Sequence, residues 1–178
     1  MNDKGIRSFS LGALLDVCGR RPEDFYYDGC LISSHVDPED EVPMDLFRFP
    51  VRIDAFALVF CSKGSITLQS NLTRYELGGN SLFIHVPGAI LHVESMRGAE
   101  VFVAACEEEF IRRIDVDLKL ISSLALQLER YPLLHLAPGE WNVLERSIAE
   151  ITDEGVSEPD DPYSREILRS SLRVLIYK

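Results

Sequence analysis

The side chains of this sequence best suited to chemistry are its imidazoles and thiols, and their spacing limits what they can do. His85 and His92 flank a Pro87-Gly88 turn, with His92 on the strand that follows. An imidazole in that position can ligate a metal, move a proton or bind an organic ligand. Zinc or iron needs three or more protein ligands converging on one point. Cys18, Cys30, Cys61 and Cys106 form no CxxC pair, which excludes a zinc knuckle or a thioredoxin-like motif. Cys61 and Cys106 stand in apolar runs and read as small core residues, not nucleophiles. There is no GxSxG elbow and no HExxH, and Gly78-Gly79 lacks the helix and lysine of a phosphate loop. His85, between Ile84 and Val86, reads as a rim or solvent-facing residue, and His35 and His135 lie in loop-like contexts. The carboxylates gather at 37–41, at 153–161 and at Glu107-Glu108-Glu109, where solvated loop and helix-cap charge accounts for them. No catalytic set emerges, and among the imidazoles His92 is the one that reads as a site residue.

Around these residues the chain changes period once. The 178 residues are 46% hydrophobic and 26% charged, the composition of a folded protein. Up to Cys106 the sequence reads as short strands separated by Gly and Pro. Arg52 to Cys61 is a long apolar strand, Ser62-Lys63-Gly64 a tight turn, and Ile66 to Ser70 a half-buried strand. Thr73 to Leu77, Ser81 to Val86, Ala89 to Ser95 and Ala99 to Cys106 follow, the last pair joined by a turn at Arg97-Gly98. A short helix after Ser10 precedes them, and His35 to Met44 reads as an acidic, exposed loop. Beyond Cys106 the period becomes helical: Glu107 to Ile114, Leu118 to Tyr131 stopped by Pro132, a helix opened by Pro138, an acidic linker over Glu154 to Pro162, and a closing helix from Tyr163. The closing helix carries Arg165, Arg169 and Arg173 at four-residue spacing. Net charge is −11, which repels nucleic acid. No apolar run approaches a membrane span and no secretory signal opens the chain, so a cytoplasmic protein with no membrane partner is expected.

The stretch Gly79-Asn80-Ser81-Leu82-Phe83-Ile84-His85-Val86-Pro87-Gly88-Ala89-Ile90-Leu91-His92 resembles the second signature of the cupin barrel. In metal-binding cupins the final His is a ligand. Their first signature supplies two His separated by one residue, then a Glu and a Gly. With Gly64 as that Gly, the Glu position falls on Ala57, and the His positions fall on Pro50 and Arg52 or on Val51 and Ile53. The resemblance therefore implies a cupin barrel without metal or other cofactor. The wider order, from Arg52 through Ile66, Asn71-Leu72, Tyr75-Glu76-Leu77 and Asn80 to Pro87, then Phe110, Pro132 to Leu136 and Ile167 to Tyr177, is similar to the sensor and dimerisation region of AraC-type bacterial transcription regulators. That resemblance implies a mainly β fold: a cupin-like antiparallel barrel (jelly roll) over 1–106, then a helical dimerisation region over 107–178. It also implies a helix-turn-helix domain after Lys178, through which alone the protein would touch DNA.

The expected function is that of a small-molecule effector sensor, a sugar among the candidates, which pairs as a homodimer and is not an enzyme. On the strand around Val59, Ala57, Val59 and Cys61 alternate with Phe56, Leu58 and Phe60, and a strand apolar on both faces needs cover on both sides. The small set is expected to face the barrel interior and leave room for the ligand, and the bulky set to pack on helices. The ligand-binding candidates are Arg52, Ala57, Val59, Cys61 and His92. The dimerisation candidates are Leu120, Ile121, Leu124 and Leu128, one stripe of the Leu118–Tyr131 helix. The alternatives are a metal-free cupin isomerase or epimerase, and a pure dimerisation module with a filled barrel.

Overall fold

Glycine and proline act in two ways in the strand-rich half of the protein. The computed structural model describes residues 6–18, 25–34, 49–157 and 161–177. At Gly78-Gly79-Asn80 and Pro87-Gly88 the chain reverses. At Gly64 and Gly98, where tight turns are expected, it does not. There β5 (Phe56–Ser70) and β8 (Ile90–Cys106) run on as single long strands, antiparallel from Phe56↔Cys106 to Ser70↔Leu91. The register shifts between Cys61 and Lys63 and again between Lys63 and Ser65. Both glycines hold positive φ, 70° and 53°. A Cβ on Gly64 would lie 2.1 Å from the Gly98 carbonyl oxygen. The two expected turns are thus bends in one paired ribbon, because a glycine at positive φ serves a bulge as well as a turn.

This ribbon organises the sheet. One half of β5 pairs with β7 (Ser81–His85) and the other with β6 (Thr73–Leu77). One half of β8 pairs with β3 (Cys30–Ser34), itself paired to β2 (Phe25–Tyr27), and the other with β4 (Val51–Ile53). β1 (Arg7–Phe9) runs parallel to β4. β9 (Leu133–His135) pairs with β7, where the sequence suggests only a link between helices. The path β1-β4-β8-β5-β7-β9 has two free ends, so the described strands form a folded open sheet and not the closed barrel expected.

Helix α1 (Leu11–Cys18) starts at Ser10, whose Oγ accepts the Ala13 N–H at 3.2 Å. Glu107 Oε1 accepts the Leu11 N–H at 3.0 Å, so this carboxylate serves a helix start far from it in sequence. The C-terminal layer comprises α2 (Glu108–Arg113), α3 (Leu118–Arg130), α4 (Pro138–Ser157) and α5 (Pro162–Ile176). Asp117 caps α3 and Asp161 caps α5, each side chain accepting a backbone N–H at 2.9 Å. The acidic loop expected over His35 to Met44 lies outside the described residues except at its approaches, as does 158–160 of the expected linker. Of the rest of that linker, α4 continues to Ser157, Asp161 is the extended N-cap of α5 and Pro162 opens that helix.

The two faces of β5 bury different things. Ala57 and Cys61 join Val51, Ile53, Ile66, Leu68, Leu77, Phe83 and Leu91 in one cluster, which draws on both halves of the ribbon and is the interior of the fold. Phe56 and Leu58 pack instead against a second cluster that includes Cys106, Phe110, Ile151, Leu168, Leu172 and Leu175. The expected division of small residues inward and bulky residues toward helices is the one observed.

Candidate functional site

Alternation along each strand decides which of the singled-out residues can meet. Ala57 stands opposite His85 on β7 and Ala105 on β8. Val59 and Cys61 follow on the same inward face. Arg52 lies between buried Val51 and Ile53 and points the other way, exposed, with its Nε donating to the Gly88 carbonyl at 3.1 Å. His92 lies between Leu91 and Val93, which both join the interior, so it too faces outward. The five ligand candidates are divided between opposite faces, and one small ligand cannot touch both sets.

The cupin metal positions do not fit a metal. Ala57, Val51 and Ile53 occupy the interior without a donor atom, and among the described residues no group of three or more His, Cys, Asp or Glu side chains is placed to hold an ion. The imidazole that does enter the interior is His85, expected at the rim and found only 2% exposed. Its Nε2 lies 3.2 Å from the Ile53 carbonyl oxygen, and its Nδ1 is buried without a partner. With Nε2 donating to that carbonyl, the ring is neutral and presents an acceptor to the interior. Burial pulls its pKa below the ordinary imidazole value, against the opposing pull of the Ile53 carbonyl and the Asp54 charge. The sequence could not place it, because Leu82 and Ile84 make the other face of β7 more apolar than the one His85 shares with Ser81 and Phe83.

The described thiols Cys30, Cys61 and Cys106 are buried. Cys106 Sγ donates to Cys30 Sγ at 3.4 Å. That contact and burial push the Cys30 thiol well above its ordinary range. Burial likewise raises Cys61.

A cavity lies on the face opposite to the one expected. A chamber of about 310 Å³ separates the outer face of the sheet from the helical layer. Leu58, Leu82, Ile84 and Ala104 form its floor, and Leu128 of α3, Leu144 of α4 and Leu172 of α5 reach it from above. Leu134, 40% exposed, also lines it. Every lining side chain among the described residues is apolar or, at Cys106, a thiol already engaged.

Of the dimerisation candidates, Leu128 turns toward this chamber, and the side chains of Leu120, Ile121 and Leu124 lie outside the described residues. On α3 it is Leu126 that stands exposed, at 71%. The arginine stripe of α5 is engaged within the chain. The guanidinium groups of Arg165 and Arg169 lie 4.7 and 5.8 Å from the Tyr27 ring centre. Arg169 also pairs with Asp28 at 3.8 Å and Arg173 with Asp115 at 3.6 Å. Spacing alone reveals a basic stripe but not the β2–β3 turn that receives it.

No protein-family model matches the chain, and no curated protein matches it significantly. Among solved structures it is similar to apo ToxT K231A from Vibrio cholerae strain SCE256, with a TM-score of 0.47 and 16% identity over 84% of this chain and 55% of that one. It is similar to the AraC-like transcriptional activator CuxR, with a TM-score of 0.44 and 12% identity over 84% of this chain and 48% of that one. It also resembles the Schizosaccharomyces pombe Cnp3 cupin domain, with a TM-score of 0.33 and 12% identity over 53% of this chain and 70% of that one. The chain spans about half the length of ToxT and CuxR. No helix among the described residues is long and apolar enough to cross a membrane.

Proposed function

We propose that this chain is the effector-sensing and dimerisation region of an AraC-type transcription regulator acting in the cytoplasm. Residues 1–106 form the sensing unit and 107–178 the dimerising one. DNA is contacted by a helix-turn-helix domain that the family resemblance implies. The observation that carries the reading is the chamber between sheet and helices, which gives a ligand one wall on each of the two units. A molecule seated there braces the helical layer against the sheet, and a dimer built on that layer would respond. The metal-free enzyme is the weaker reading: an acid–base pair facing one substrate space is needed, and the described walls of the chamber carry none. The dimer contact is proposed on α3, through Leu120, Ile121 and Leu124; exposed Leu126 does not share their side of that helix.

The test fuses the chain to a helix-turn-helix domain that represses a reporter only as a dimer. Repression by the wild-type fusion, lost in Leu124→Glu, is the expected result. A wild-type fusion that is well expressed and does not repress would overturn the reading.

A further inference from the structure

We infer that the sheet–helix chamber binds a neutral, apolar small molecule and rejects carboxylates. The inference rests on the sensing reading for its biological use, but the binding chemistry stands on the chamber itself. The space lies between two layers, with Leu58, Ile84 and Ala104 beneath and Leu128, Leu144 and Leu172 above, so its occupant is a small molecule inserted between two apolar walls. Its volume of about 310 Å³ is at the lower end of ligand sites. It is roughly twice the ~150 Å³ apolar cavity that stays dry and takes up benzene, so an aromatic of two or three rings or a medium alkyl chain fits.

Polarity follows from what the walls lack. Among the described lining residues there is no Lys, Arg or His, and no hydroxyl or amide side chain. The backbone groups of the floor are engaged in the β5–β7 and β5–β8 ladders, where Leu58 stands opposite both Ile84 and Ala104. The Cys106 thiol is turned to Cys30. A carboxylate or phosphate entering this space would lose its water and gain no donor in return. Water is poorly held for the same reason, since it needs polar partners that are missing. A neutral hydrocarbon-like ligand loses nothing on entry and restores the missing packing contacts.

The experiment titrates N-phenyl-1-naphthylamine, a neutral probe that brightens in apolar surroundings, into the purified chain. Trp141, the one tryptophan, lies 6.4 Å from the ring of Phe60 in the chamber wall and gives a second signal. The expected result is saturable binding of one probe per chain, displaced by decanol and, at neutral pH, about tenfold or more less well by decanoate. Ala104→Phe fills the chamber from the floor and Leu144→Trp from the helical side, and either variant, folded by circular dichroism, should bind the probe about tenfold or more weaker. Absence of saturable binding, equal displacement by decanoate, or undiminished binding by both filled variants would overturn the inference; the last would place the probe at a surface between copies. Probe binding as described, with dimer-dependent repression unchanged by the probe, would overturn the sensing reading and leave the binding site standing.

Discussion

His85 shows how one residue's surroundings set its behaviour. It is buried in the interior with one nitrogen bonded to the Ile53 carbonyl and the other unpartnered. Its pKa is lower folded than unfolded, burial being the main cause. In the unfolded chain a histidine gains a proton as pH drops through about 6.5. The folded one resists until a lower pH, so across that window the unfolded state binds more protons. Stability is therefore undiminished above about 6.5 and falls with acidification until the folded imidazole itself titrates. Chemical denaturation at pH 7.5 and pH 5.5 should show the wild type losing more stability than His85→Leu between the two. Equal losses would mean that the ring is not held neutral. Nothing around His85 in the sequence announces this burial. The alternation of β7 was legible, but its more apolar face, Leu82 and Ile84, turns to the helical layer and not to the interior, which pattern alone cannot say.

At the scale of elements, the paired bulge at Gly64 and Gly98 gives the fold its bend. Gly64→Ala would place a Cβ against the Gly98 carbonyl and force a side chain into positive φ. The expected cost is about 3 kcal/mol, read as a drop in denaturation midpoint. A shift of only a few tenths would show that the ribbon tolerates a different bend. The same glycines explain what could be read beforehand. Strand identities, the helix stop at Pro132 and the starts at Ser10 and Pro138 were legible because their signals are local. A glycine marks a turn and a bulge alike, so two long strands looked like four short ones. β9 was missed because three residues after a proline are too few to show a period. The division of β5 into inward small and outward bulky faces was legible from alternation. The location of the cavity was not, because it depends on how closely four helices settle on the outer face.

For the whole molecule, charge and association carry the predictions. With a net charge of −11 and the α5 arginines held by Tyr27, Asp28 and Asp115, the chain by itself offers no free basic face on that helix. It should give no specific band shift with DNA at near-physiological salt. A specific shift would place DNA contact within this chain and contradict the proposed division of labour. The account makes dimerisation and ligand binding two readouts of one helical layer, so they must be linked: a molecule that binds monomer and dimer unequally shifts the association constant. Sedimentation equilibrium of the purified chain at high micromolar concentration, with and without N-phenyl-1-naphthylamine, measures both at once. A dimer whose association constant changes when the probe is bound is the predicted result. A single-chain mass under both conditions, or a dimer indifferent to bound probe, would contradict it.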